Sequence, residues 1–134
     1  MNQIHALVHK LHNPSLGIFL LRLALGVVFI NAGWLKIANI DLVISSFAAL
    51  GIPAWLTYAV AYTELIGGIL LILGFLVRYV GIALAVIMVV AITKVHWVNG
   101  FSLQNGGYEY AFVLLLGALA LVTLGAGGYS LARW

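Results

Sequence analysis

The sequence predicts an all-α, polytopic membrane protein, folded as an antiparallel bundle of four transmembrane helices. Of its 134 residues, 65% are hydrophobic and only 7% are charged, whereas about a quarter of the residues in a soluble domain are charged. Four apolar stretches are long enough to cross a bilayer, and none alternates with the period of two that barrel strands require. The 15 glycines are typical of membrane helices that pack closely.

The four predicted spans fall within the roughly 17–25 residues that a helix uses to cross the hydrocarbon core. They cover Leu16–Ala38, Trp55–Leu76, Tyr79–Trp97 and Tyr108–Leu124. The connection near Arg78 is very short, so the second and third spans are predicted to form an antiparallel hairpin. The segment Asn39–Ala54 is too polar to span and is predicted as a loop with a short interfacial helix, and residues 98–107 form the other loop.

Residues 1–14 are predicted to form a separate amphipathic segment at the membrane interface, ahead of a transmembrane domain at residues 15–134. His5, His9 and His12 recur at i, i+4 and i+7 on one helical face, and apolar residues occupy the opposite face. Metal binding is the weaker alternative, because neutral imidazoles at this spacing can share an ion.

Charge and cysteine content exclude several classes of function. The net charge of +3 comes without a Lys/Arg run, so a nucleic-acid partner is not expected. The absence of cysteine removes thiol nucleophiles and Cys-ligated clusters. The three acidic residues fall in separate segments, so no pair of carboxylates for hydrolysis can be assembled.

Charged residues within or beside the spans form the candidate site. Arg22 and Lys36 share one stripe of the first span, while Glu64 shares a face with Gly67 and Gly68 on the second. A charge facing lipid costs at least about 2.5–3.5 kcal/mol, so these side chains are expected to converge inside the bundle. The candidate ligand-binding set is Arg22, Lys36, Glu64, Lys94, Tyr108 and Glu109.

Depth in the membrane predicts two clusters within this set. Glu64 lies near the middle of its span and Arg22 in the inner half of the neighbouring one, so they are expected to pair, with Lys36 as the alternative partner of Glu64. Lys36, Lys94 and Glu109 are expected to gather at the outer mouth. The competing interpretation is that these groups only fix helix packing, since buried pairs can confer specificity without chemistry.

Five motifs in order resemble the DoxX family of small membrane proteins, over roughly Leu16 to Leu131. They are R-x3-G-x6-G-x2-K (from Arg22 to Lys36), GIP (Gly51–Pro53), E-x2-GG-x5-G-x3-R (from Glu64 to Arg78), GGYEY (Gly106–Tyr110) and GGYSL (Gly127–Leu131). The chain departs from the family pattern at Ala132, where an acidic residue is common, and in its N-terminal histidines.

The resemblance implies a multi-pass protein of the prokaryotic plasma (inner) membrane, with links to quinone-coupled oxidation and to responses to quinones. The leading hypothesis is a redox-associated subunit that binds a quinone or a similar apolar ligand, with Glu64 and Arg22 at its polar oxygens. Without cysteine or a haem-ligand pair, oxidoreductase activity requires a bound quinone, another cofactor or partner oxidoreductase subunits. The alternatives are a small permease or proton-coupled exporter, which requires a homo-oligomer, and a non-catalytic assembly subunit.

The distribution of basic residues predicts that both termini are cytoplasmic. Four lie toward the N-terminal side of the spans and two toward the other: Lys10, Arg22, Arg78 and Arg133 against Lys36 and Lys94. Because the chain has no native cysteine, single cysteines at Gln104 and Ser130 can report orientation. An impermeant maleimide is expected to label the first in intact cells and the second only after permeabilisation. The reverse pattern would contradict this orientation.

Overall fold

The computed structural model describes residues 2–132 and contains no strand among them; Met1, Arg133 and Trp134 lie outside the described residues. Its α-helices are α1 (Gln3–Lys10), α2 (Pro14–Ala38), α3 (Ile40–Ala49), α4 (Ala54–Leu73), α5 (Val77–Ala91) and α6 (Glu109–Leu124). A π turn at Ile92–His96 and a 3₁₀ turn at Trp97–Asn99 extend α5, and a second 3₁₀ turn covers Leu103–Asn105.

The predicted all-helical fold class is confirmed, with three helices long and apolar enough to cross a membrane. These are α2, α4 and the continuous helix Val77–Asn99, of 25, 20 and 23 residues. The predicted fourth span corresponds to α6, an apolar helix of 16 residues. Since a crossing takes about 20 helical residues, helix length supports three spans and leaves α6 as a shorter fourth helix of the bundle.

Local sequence signals account for the ends of α2 and α4, which carry most of the site. α2 begins at Pro14, whose missing N–H is harmless in the first turn, and the side chain of Asn13 accepts a hydrogen bond from the Leu16 amide at 3.1 Å. α4 ends at Gly74, whose φ of +78° is a left-handed conformation that suits glycine. The following turn leads directly into α5, so α4 and α5 form the expected hairpin.

α2 and α4 approach each other so closely that glycine is required at the contact. A Cβ atom added at Gly33 would lie 2.5 Å from the Leu65 nitrogen and 2.7 Å from the Ala61 oxygen. One added at Gly68 would lie 2.6 Å from the Gly26 oxygen. These neighbours are backbone atoms, which no side-chain rotation can move, so the two antiparallel helices can pack at this distance only with glycine at these positions.

The other half of the bundle pairs α5 with α6, and α2 contacts both halves. Gly81 of α5 lies against Ala118 and Val122 of α6, and Gly117 of α6 lies against Leu25 of α2. The large apolar side chains at the centre are fully buried: Phe29, Leu71, Leu84 and Leu121. One apolar core therefore runs through all four long helices.

α1 lies outside this core, since none of its residues is buried. The helix ends at Lys10, so His12 lies beyond it. Only His5 and His9 of the predicted histidine face are therefore in the helix. Within residues 2–132, no group of three or more His, Cys, Asp or Glu side chains is placed to hold a metal ion, and metal binding stays the weaker alternative. The interfacial position of α1 stays a prediction.

The glycine contact between α2 and α4 gives a direct test of the packing. Gly33→Ala is expected to destabilise the protein by ~1–3 kcal/mol, because the added methyl group forces the helix backbones apart. Gly17→Ala, on the same helix, is the matched control, since an added Cβ there meets nothing within 4 Å. Unfolding by SDS titration in mixed micelles measures both. Equal stability of the two variants would contradict the close contact.

Candidate functional site

The guanidinium of Arg22 is buried at the end of the bundle where α2 begins and α4 ends, here called the Arg22 end. Arg22 is only 1% exposed. Its Nε and Nη2 donate to the carbonyl oxygens of Leu71 and Ile72 at 2.8 and 3.0 Å. Its Nη1 donates to the carbonyl oxygens of Ala126 and Tyr129, both at 2.7 Å. Four hydrogen bonds to backbone oxygens therefore hold this side chain.

These acceptors explain why an arginine is tolerated there. The carbonyl groups in the last turn of a helix have no partner within the helix, and a cation near them is favourable. Residues 125–132 bind at the same place, where the Leu131 and Ala132 amides donate to Leu73 and Gly74 at 3.1 and 3.2 Å. Arg22 thus joins α2, the end of α4 and the segment after α6, which is a structural role.

The predicted ion pair between Arg22 and Glu64 is wrong, and side-chain direction explains the error. Gly33 lies against Ala61 and Leu65, so the position of α2 opposite Glu64 lies near Gly33, about 16 Å along the axis from Arg22. Helical side chains lean toward the N-terminus of their helix, which directs Arg22 away from Glu64. The space at Gly26 is also occupied, since a Cβ there would lie 2.8 Å from the Gly68 oxygen.

Glu64 pairs with Lys36, its alternative partner in the sequence analysis. Lys36 Nζ lies 2.6 Å from Glu64 Oε1, and the two side chains are 25% and 2% exposed. Helical side chains point toward the N-terminus of their own helix. Because α2 and α4 are antiparallel, this brings the side chains of Lys36 and Glu64 together. Oε1 has no partner that meets hydrogen-bond geometry among the described residues, so the contact is best described as an ion pair.

The ion pair lies in the wall of a cleft of about 450 Å³ between the end of α2, α3, α4 and α5. Three residues of the candidate set line it: Lys36, Glu64 and Lys94. The rest of the described lining is apolar side chains and glycine, including Val60 and Ala91. Small-molecule sites typically have volumes of about 300–1,000 Å³, with a few polar groups in an apolar wall. The cleft has this character.

Lys94 lies on the π turn that extends α5. Such turns rewind a helix locally and are frequent at functional sites. Lys94 is exposed, and within residues 2–132 the one ion pair is that of Lys36 with Glu64. Lys94 therefore lines the cleft as a charged residue that no described carboxylate neutralises.

Glu109 does not join Lys36 and Lys94, so this part of the predicted outer cluster is wrong. Glu109 begins α6, and its Oε1 accepts a hydrogen bond from the Leu103 amide at 2.9 Å. A carboxylate is favourable there, because the first amides of a helical turn lack partners. Tyr108 stacks on Trp97 with ring centroids 5.3 Å apart and does not line the cleft. Both residues order the loop before α6.

The described lining also includes residues outside the candidate set. Phe47 of α3 and the turn Gly51–Pro53 form one wall. The GIP sequence marks the turn, but the sequence alone does not indicate that α3 folds back over α4. An interfacial helix has an apolar face in any case, so the composition of α3 gave no signal of this contact.

The DoxX family model matches residues 17–97, more than half of the chain. The chain belongs to the DoxX family. The matched region runs from α2 through the π turn and contains Arg22, Lys36, Glu64 and Lys94, whereas α6 lies beyond it. This DoxX protein is a membrane protein, and the exposed apolar side chains of its spanning helices contact the lipid bilayer.

Two bacterial proteins are similar in sequence to this DoxX protein. One, from Bacillus subtilis, is named "Putative oxidoreductase CatD" and is 32% identical over 112 residues, which cover 84% of this chain and 81% of that protein. The other, from Haemophilus influenzae, is named "Uncharacterized protein" and is 36% identical over 81 residues, 60% of this chain and 54% of that protein. No solved structure matches the chain at a significant level.

A double-mutant cycle tests the pairing in the site. Lys36→Met is expected to cost about 3 kcal/mol, because it leaves a buried carboxylate unpaired. Glu64→Leu should cost less, since the partly exposed Lys36 can turn toward the interface. The double variant should be more stable than Lys36→Met alone, as measured by SDS titration.

Arg22 provides the control for this cycle. Arg22→Leu and Glu64→Leu change groups that do not share a partner, so their effects should add to within about 0.5 kcal/mol. Additive losses for Lys36 and Glu64, or strong coupling between Arg22 and Glu64, would contradict the pairing described here.

Proposed function

We propose that this DoxX protein is a redox-associated membrane subunit that binds a quinone or a similar apolar carbonyl compound in the cleft. The observation that carries the proposal is a buried carboxylate paired with Lys36, in an otherwise apolar cleft that Lys94 also lines. Ionisable groups within a membrane domain are functional candidates, because burying them is costly. The name of the Bacillus subtilis relative also supports a redox role.

The lining residues fit such a ligand. The apolar wall suits a ring and its hydrocarbon substituents, while Lys36 and Lys94 can donate hydrogen bonds to carbonyl oxygens. When bound, a quinone supplies the capacity to accept two electrons and two protons. Glu64 is the one carboxyl group of the described lining, and its proposed task is to accept a proton from the ligand oxygens or return one to them, as a carboxylate that is ionised in the resting ion pair with Lys36. Arg22 is committed to backbone carbonyls and takes no part in this proposal.

The electrons must come from another molecule, since the chain has no cysteine and its residues alone store no electrons. The proposed partners are therefore other membrane oxidoreductase subunits or a soluble donor. Both relatives are bacterial, which supports a location in the prokaryotic plasma membrane. With both termini in the cytoplasm, the cleft would lie on the outer side of that membrane.

Binding of decylubiquinone in phosphatidylcholine nanodiscs, followed by calorimetry, tests the proposal. Ala91→Phe places a ring in the cleft and is expected to weaken binding at least tenfold. Ala83→Phe is the matched control, because it is also on α5 and also half-buried but lines a separate groove of about 360 Å³. Its affinity should stay within twofold of wild type. No saturable binding, or equal effects of the two substitutions, would contradict the proposal.

A further inference from the structure

We infer that the cleft selects amphiphiles that carry one negative charge, with the charged head at Lys94 and Lys36 and the apolar body against the walls. The inference rests on the proposed function only in using the same cleft. It concerns the charge of the ligand, which a redox role leaves open.

The charge balance of the cleft is the first argument. Two ammonium groups and one carboxylate line it, a surplus of one positive charge among the described residues. The chain has only two other acidic residues. Glu109 is engaged with the Leu103 amide, and Asp41 lies exposed at the start of α3, outside the cleft lining. An anionic ligand would therefore supply the missing charge.

The order of the charged groups is the second argument. Glu64 is 2% exposed and Lys36 is 25% exposed, while Lys94 is exposed. A head group entering the cleft thus meets Lys94 first and Lys36 next, and the carboxylate lies behind them. An ammonium group has three donor hydrogens; Lys36 directs its charge at one oxygen of Glu64 and keeps donors for a ligand.

The apolar walls are the third argument. Apart from its charged groups, the described lining is hydrocarbon and glycine, and such walls concentrate the field of the two ammonium groups. They also require the ligand to bury apolar surface behind its head. The ligands that fit these requirements share a negatively charged oxygen group attached to a hydrocarbon chain or ring. Its source is either a lipid phosphate or a small carboxylate or phenolate that arrives from water.

Decanoate and decanol are the matched probes, because they share a chain and differ in charge. The wild-type protein is expected to bind decanoate at least tenfold more tightly than decanol. The measurement uses phosphatidylcholine nanodiscs at pH 7.5, and partition of each probe into empty discs is subtracted. Lys94→Met should reduce this preference to within threefold, whereas Lys94→Arg should keep it. Lys10→Met, an exposed lysine on α1 outside the cleft, should leave it unchanged.

Equal affinity for the two probes, or an unchanged preference in Lys94→Met, would overturn the inference. Adding phosphatidylglycerol to the discs distinguishes the sources: competition with decanoate assigns the anion to a lipid headgroup, and its absence assigns it to a water-borne acid. If decylubiquinone does not bind but decanoate is still preferred over decanol, only the proposed function is contradicted. If decanoate and decanol bind equally well, while Ala91→Phe still weakens quinone binding, only the charge inference is contradicted.

Discussion

The close contact between α2 and α4 determines which charged side chains of these two helices can meet. Gly26, Gly33 and Gly68 let the two backbones touch, which fixes the register of one helix against the other. With that register, the lean of helical side chains decides which charges can meet. Lys36 and Glu64 are brought together, and Arg22 is directed to the far end of α4. A shift by one helical turn would change both partners.

The buried charges are stabilised in two different ways. Arg22 binds carbonyl oxygens in the last turn of α4 and in the segment after α6, so one side chain satisfies several groups at once. Glu64 depends on a single lysine that is itself partly exposed. The first arrangement is complete within the protein, whereas the second leaves donor hydrogens of Lys36 beside an open cleft. This difference is why we propose ligand binding for the second arrangement only.

The sequence predicted the helices well, because the energy of burying a polar backbone in lipid leaves few choices. It predicted the charged residues but not their partners. The predicted pairing of Arg22 with Glu64 depended on depth and on the glycine-bearing face of the first span, and it ignored the direction in which each side chain points. Glu109 was misplaced because hydrogen bonding to the Leu103 amide depends on a loop conformation that composition does not specify. The wall formed by Phe47 likewise depends on the path of α3, which no periodicity encodes.

The hydrogen bonds of Arg22 also impose an order on biogenesis. Its acceptors at Ala126 and Tyr129 lie 104 and 107 residues further along the chain, and proteins emerge from the ribosome N-terminus first. Arg22 therefore enters the bilayer long before two of its four acceptors have been synthesised. The segment after α6 completes the hydrogen bonding of α2, so Arg22 reaches its final environment only after that segment has been synthesised.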